Sequence, residues 1–272
     1  MSWRDIARKD VHDASRSWSI WALSALLLVV FVGYAAAHAY LGEMAFVAFL
    51  DGLAGVVGIL LPLIAVLLSY KSIAGERTSG SVYLSLSLPN SRKDMVVGKF
   101  VGRSVVLLVP TLVALAAAGV AGAARYGTDG AVLYPWFLFV TVLYGVAFVG
   151  IALGVSMSTT VDRRITFGAL GSYLLLALIW DEVHSVVLVI LHRFDAAVLA
   201  NMPDWALLFR LLKPAESYYR LLRVGFDIER AGRYVADGAP LYVDWWMAAV
   251  LLSVWIAAPL ALGYWRFTAM DL

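Results

Sequence analysis

Six stretches of this 272-residue chain are apolar for long enough to approach or complete a bilayer crossing, and no Asp, Glu, Lys or Arg interrupts any of them. They cover residues 20–40, 53–70, 104–124, 133–157, 165–180 and 245–265. A helix rises about 1.5 Å per residue, so about 20 residues span the roughly 30 Å of hydrocarbon. The fifth run is short for that task. Lipid offers no partner to a free N–H or C=O, and the runs lack the alternation of a barrel strand, so helices are the form that fits. Composition agrees: 62% of residues are hydrophobic and 15% charged, against about a quarter charged in soluble domains. The expected fold is an all-α membrane protein with six transmembrane helices, organised as one domain over residues 1–272.

Trp18, Trp21, Tyr134, Trp136, Trp180, Trp245, Trp246 and Trp265 fall at the ends of these runs, where aromatic residues favour the headgroup level. Pro62, Pro110 and Pro259 lie inside spans, where neighbouring helices can tolerate them. Orientation follows from Lys and Arg. With the N-terminus inside, the inner side collects thirteen of the 21 basic residues, the short outer connections hold Arg125 alone, and residues 181–244 carry the rest. Long loops cross largely regardless of charge, so both termini are expected in the cytoplasm of a cell-membrane protein. The small residues at 35–39 offer a signal-cleavage pattern, but a 21-residue apolar run led by Asp5, Asp10 and Asp13 favours a retained span. Before it, residues 1–18 place Trp3, Ile6, Val11 and Ala14 near one face. That pattern fits an amphipathic helix on the membrane surface, and equally a solvated basic leader.

The chemistry available is limited. Without cysteine there is no disulfide, thiolate or cysteine metal site. A net charge of +2 with no basic stripe excludes a nucleic-acid reading. No P-loop occurs, since Gly98-Lys99 is followed by Phe100, and the HExxH and GxSxG signatures are absent. Charge-free spans count against an ion-coupled carrier, which needs intramembrane ionisable groups. The hydroxyls inside them, among them Ser24, Thr111, Thr141, Tyr144 and Ser156, would line a passage for an amphipathic or apolar substrate. One cluster tempts a different reading: Asp181, Glu182 and His184, with His192 beyond, could serve a membrane-embedded metal-dependent enzyme. The alternative is that they end the fifth span and residues 186–191 dip back into the membrane. Asp204 can cap a helix through Lys213, and Pro214 can start another through Val224, either as interfacial helices or packed within an outer subdomain.

The polar insert between spans two and three is the most informative segment. Gly75, Gly80 and Pro89-Asn90 break it, and Ser91 with Asp94 forms a capping pattern that starts the third span near Arg92. Between the breaks, Val82, Leu84, Leu86 and Leu88 alternate with Ser81, Tyr83, Ser85 and Ser87, a period that suits a strand or a short docked helix. Leucines in so short a segment have no core of their own, and exposed apolar patches mark partners.

The run Glu76-Arg77-x-x-Gly80-Ser81, then Leu86-Ser87-Leu88-Pro89-x-Ser91-Arg92, then Gly98-Lys99-Phe100-Val101-Gly102 resembles the cytoplasmic signature of ABC-2 type transporter permeases. The six-span layout is similar to that of the subgroup containing the nitrous-oxide-reductase maturation permease. Ser81 replaces the commoner Thr and keeps a hydroxyl. The resemblance implies that residues 71–100 hold a coupling helix, gripped by a separate ATPase subunit that binds ATP and Mg. Glu76 and Arg77 would orient it and Gly80 permit its turn. Ser81 completes the signature, while Val82, Tyr83, Leu84, Leu86 and Leu88 would dock, up to the break at Pro89. Ser91, Arg92 and Lys99 would set the base of the third span, although positive-inside anchoring explains the two cations equally well. The resemblance also implies an exporter and a homodimer, with no cofactor bound by this chain itself. A membrane scaffold remains a third reading, distinguished by lacking substrate-stimulated ATP hydrolysis.

Overall fold

The computed structural model describes residues 2–42, 45–75, 91–127, 130–200, 202–235 and 239–269. Among the described residues every regular element is helical. The chain runs through α1 (Trp3–Ser15), α2 (Trp18–Leu41), α3 (Phe46–Ser69), α4 (Arg92–Tyr126), α5 (Tyr134–Ser158) and α6 (Asp162–Tyr173). A π-helical stretch, Leu174–Ile179, joins α6 to α7 (Trp180–Leu191) without a break. Then come α8 (Asp204–Leu211), α9 (Pro214–Leu222) and α10 (Trp245–Ala269), with short 3-10 turns between them. Six helical stretches are long and apolar enough to cross a membrane. The protein is a multi-pass membrane protein.

All six helices outrun the charge-free stretches, three of them most. The second begins at Phe46, which brings Asp51 inside a helix. The third is 35 residues, about 52 Å of helix against about 30 Å of hydrocarbon, so several turns project beyond the bilayer. The fifth is a 30-residue helix, Asp162–Leu191, and residues 186–191 continue it rather than dipping back. Expectations built on apolarity stop at the first charge, whereas helices continue past it wherever the charge finds a partner.

α5 is the central helix. It packs most extensively on α10 and also meets α3, α4, α6 and α9. Glycine makes its closest approach possible. A Cβ at position 150 would lie 2.9 Å from the Ile256 carbonyl oxygen, and one at 154 would overlap the carbonyl of Pro259. Gly263 on α10 faces Gly154 in turn, 2.7 Å separating a Cβ there from the Gly154 Cα. Small residues are how helices approach closely where lipid supplies no hydrophobic drive.

Of the two placements open to it, interfacial or packed, α9 takes the packed one. Pro214 through Tyr218 are buried, as are Arg220, Leu221 and Leu222, and the helix lies against α5 and α10. Tyr218 stacks on Tyr144 of α5 at 4.7 Å, and its hydroxyl lies 3.2 Å from that of Thr141. The Tyr144 hydroxyl donates to the Gly58 carbonyl at 2.8 Å. Thr111, Ser24 and Ser253 donate to carbonyls of their own helices. These hydroxyls are satisfied by carbonyls or by one another within the single chain.

Gly154→Val should overpack the α5–α10 seam at a cost of about 1–3 kcal/mol, read as a lower thermal midpoint in detergent. Gly171→Val, at a site with nothing within 4 Å, should leave the midpoint unchanged.

Candidate functional site

The polar insert is reached from α3 through a tight turn and left through a cap. On the upstream side Ile73 and Ala74 are buried, and the Ala74 N–H donates to Ser156 Oγ of α5 at 3.2 Å. Lys71 pairs with Asp162 at the start of α6 at 2.9 Å. The hydrogen bond that Lys71 donates to Asp162 holds its ammonium above the ordinary pKa, although both groups remain exposed. On the downstream side Ser91 Oγ accepts from the Asp94 N–H at 3.0 Å, and the Ser91 N–H donates to Asp94 Oδ2 at 3.4 Å. This capping box satisfies two backbone donors that would otherwise be orphaned at the helix start.

Arg92 and Lys99 each bond to another helix. Arg92 Nη1 donates to the carbonyls of Phe267 and Thr268 at 2.9 and 3.1 Å, capping the C-terminal end of α10. A cation there also meets the negative end of the helix dipole. Lys99 Nζ donates to Asp10 Oδ1 of α1 at 2.9 Å. Arg103, one turn further up α4, holds the same carboxylate through Nε to Oδ2 at 3.0 Å. The Asp10 side chain is 4% exposed and that of Lys99 10%, so this pair is cut off from solvent.

Two glycines of α4 let α1 settle so deeply. A Cβ at Gly98 would meet the Trp3 carbonyl at 2.8 Å, and one at Gly102 would meet the Asp10 carboxylate at 2.9 Å. The GxxxG pair thus seats the N-terminal helix against the base of α4. Sequence reasoning missed Asp10 and Arg103 as partners. The signal was present in Asp10, which shares a face of α1 with Trp3, Ile6 and Ala14, and in a Lys–Arg pair at i, i+4 on α4, but no periodicity links segments that far apart in the chain. The start of α1 is itself capped. Ser2 donates its backbone N–H to Asp5 at 2.7 Å and thereby holds that exposed carboxyl below its ordinary pKa.

Residues 76–90 lie outside the described residues. The expected docking positions Glu76, Arg77, Gly80, Ser81, Val82, Tyr83, Leu84, Leu86, Leu88 and Pro89 therefore have no place in this geometry, while Ser91, Arg92 and Lys99 do.

The acidic–histidine cluster is taken up by the protein itself. Asp181 pairs with Lys213 at 2.9 Å and Arg210 at 3.3 Å. His184 is buried, its Nε2 2.9 Å from the Ala206 carbonyl oxygen, with its ring stacked on Phe209. His192 faces Trp205 and the Leu188 carbonyl. Eight residues of helix separate the two histidines by about 12 Å, too far to share one ion. No group of three His, Asp or Glu converges among the described residues.

The structure is thus a six-span helical membrane protein with its N-terminal helix clamped to the base of the third span. The sequence pattern of the ABC-2 family of transporter proteins matches residues 4–272, and the chain belongs to that family. It is 30% identical over 212 residues to a probable ABC transporter permease protein NosY of Pseudomonas aeruginosa PAO1, covering 76% of this chain and 75% of that protein. The corresponding NosY of Stutzerimonas stutzeri is 31% identical over 212 residues, covering 75% of this chain and 74% of its own. Family membership makes it a membrane subunit of an ABC transporter rather than an enzyme.

Asp10→Asn should remove the buried carboxylate that Lys99 and Arg103 share and cost about 3–5 kcal/mol. The double variant Asp10→Leu/Lys99→Leu should recover a substantial part of that loss. A double-mutant cycle of thermal midpoints, with protease sensitivity of α1 as a second probe, checks this coupling.

Proposed function

We propose that this chain is the permease half of an ABC exporter, working as a homodimer and driven by separate ATPase subunits that bind ATP and Mg. Residues 76–90 are the handle those subunits grip from the cytoplasm, where both termini also lie. The observation that carries the reading is how the two flanks of the handle are tied down. Upstream, Ala74 is bonded to α5 and Lys71 to α6; downstream, Arg92 is bonded to the end of α10, and Lys99 to α1. A displacement of the handle is thereby delivered to several elements at once instead of fraying a single loop.

The mechanism is a population shift. ATP binding closes the partner ATPases, and the closed pair favours the arrangement of handles that goes with an outward-open pathway. Because α4 is one continuous helix of 35 residues, a tilt at its base is carried toward the far side of the bilayer. α1, clamped to that base, moves with it along the membrane surface. Hydrolysis releases the bias and the inward-facing state returns. Glu76, Arg77 and Gly80 shape the handle, and Val82, Tyr83, Leu84, Leu86 and Leu88 enter the ATPase cleft.

The experiment is co-purification of the permease with a P-loop ABC ATPase co-expressed with it. Leu84→Asp/Leu86→Asp should abolish recovery of the complex while leaving the thermal midpoint of the permease unchanged. Undiminished assembly of that variant would overturn the docking model.

A further inference from the structure

At the end of the bundle opposite the handle, a cavity of about 350 Å³ opens between α3, the π-helical stretch and α9. Its volume lies within the range of small-molecule sites. Four cations stand on its wall, Arg210, Lys213, Arg230 and Arg233, against two carboxylates, Asp181 and Glu216. The carboxylates are already engaged. Asp181 holds Lys213 and Arg210, while Glu216 takes Arg210 at 3.5 Å and accepts from the Tyr234 hydroxyl at 2.7 Å. Arg230 pairs with Asp51 of α3 at 3.3 Å, behind the wall. After those pairs Arg233 is left over. It is exposed, and among the described residues no carboxylate lies within ion-pair distance of it.

The floor of the cavity is glycine. A Cβ at Gly55 would sit 2.6 Å from Arg230 Nη2, and one at Gly58 would overlap the Tyr219 hydroxyl. Glycine at both positions lets a guanidinium and a phenol lie flat on the α3 backbone, the guanidinium carbon 5.7 Å from the Tyr219 ring centre. Burial pushes the Tyr219 hydroxyl up to about 12, so at neutral pH it remains an O–H donor. The cavity therefore presents N–H and O–H donors with a surplus of positive charge. A cation would be repelled, and an apolar guest would strip water from charged groups and return nothing.

We propose that this cavity is a binding site for a small oxyanion, or for a molecule headed by one, of the carboxylate, phosphate or sulfate class. Arg233 and Arg230 receive it at the mouth, because planar guanidinium forks match oxyanions in two-point contact. Tyr219 donates to it from the floor, and Lys213 and Arg210 supply the field behind. The site is independent of the ATPase reading, since binding is an equilibrium of the permease alone.

The test is a titration of purified full-length protein with sodium sulfate and sodium phosphate, with ionic strength held constant by sodium chloride and the thermal midpoint as readout. A bound anion gives a saturable rise. General exclusion of sulfate from protein surface rises without saturating and ignores single substitutions. Arg233→Gln should weaken the apparent affinity about tenfold, with the unliganded midpoint unchanged, and Arg266→Gln at the other end of α10 should have no effect. Should Arg233→Gln disturb the fold, Tyr219→Phe removes the donor and keeps the ring, and it should weaken binding in the same direction. No saturable rise, an equal rise in chloride alone, or unchanged affinity in folded Arg233→Gln or Tyr219→Phe would overturn the proposal.

Discussion

Hydrocarbon gives a polypeptide nothing to bond with, so every polar group that enters it must bring its partner along. In this protein that constraint decides more than the choice of helix. It pushes charge toward the two ends of the bundle, and at each end it obliges cations and carboxylates from distant parts of the chain to meet. At one end Asp10 is held by Lys99 and Arg103. At the other, Asp181, Glu216 and Asp51 pair with Lys213, Arg210 and Arg230. Between them the bundle is closed by glycine contacts and stacked aromatics, with hydroxyls turned onto neighbouring carbonyls. The two ends are built from the same kind of interaction but are left with different work. The first ties an insert into the frame, and the second surrounds a cavity.

The clamp around Asp10 shows how a costly interaction can serve transmission. A buried ion pair adds little net stability compared with well-packed apolar residues, yet losing one member is severe. Such a pair does not loosen gradually. α1 and the base of α4 are joined or separate, and a joint of that kind passes displacement on instead of absorbing it. The Arg92 contacts with the end of α10 lie within two turns of the clamp, so the base of α4 is tied to two other helices, α10 and α1.

Much of this was legible in the sequence. Six apolar runs give six spans because the length a bilayer demands is long enough to rise above noise. The start of the third helix was readable from Ser91 and Asp94, since a capping box is local chemistry. The limits of the spans were less readable. Asp51, Asp181 and Glu182 looked like terminators, yet Asp51 and Asp181 are tolerated through Arg230, Lys213 and Arg210, residues between 29 and 179 positions away. The burial of α9 was hidden for a related reason. Its Glu and Arg suggested an interface with water, and only the tertiary partners Tyr234 and Asp244 make those charges internal. The pairing of Asp10 with α4 was likewise invisible, because charge complementarity alone does not say which acid meets which base. What the sequence supplied in full was the insert's pattern, whose alternating leucines and serines have no purpose within so short a segment.

The central claim is that residues 76–90 are held by an ATPase on the cytoplasmic side. The chain has no cysteine, so a single Cys at position 86 is a clean reporter. With the permease and its ATPase assembled in sealed vesicles of known orientation, a short photoactivatable cross-linker on that Cys should capture the ATPase subunit, with a yield that changes when ATP is added. A cross-link confined to lipid, or labelling of the Cys by an impermeant reagent from the outer side, would contradict the account.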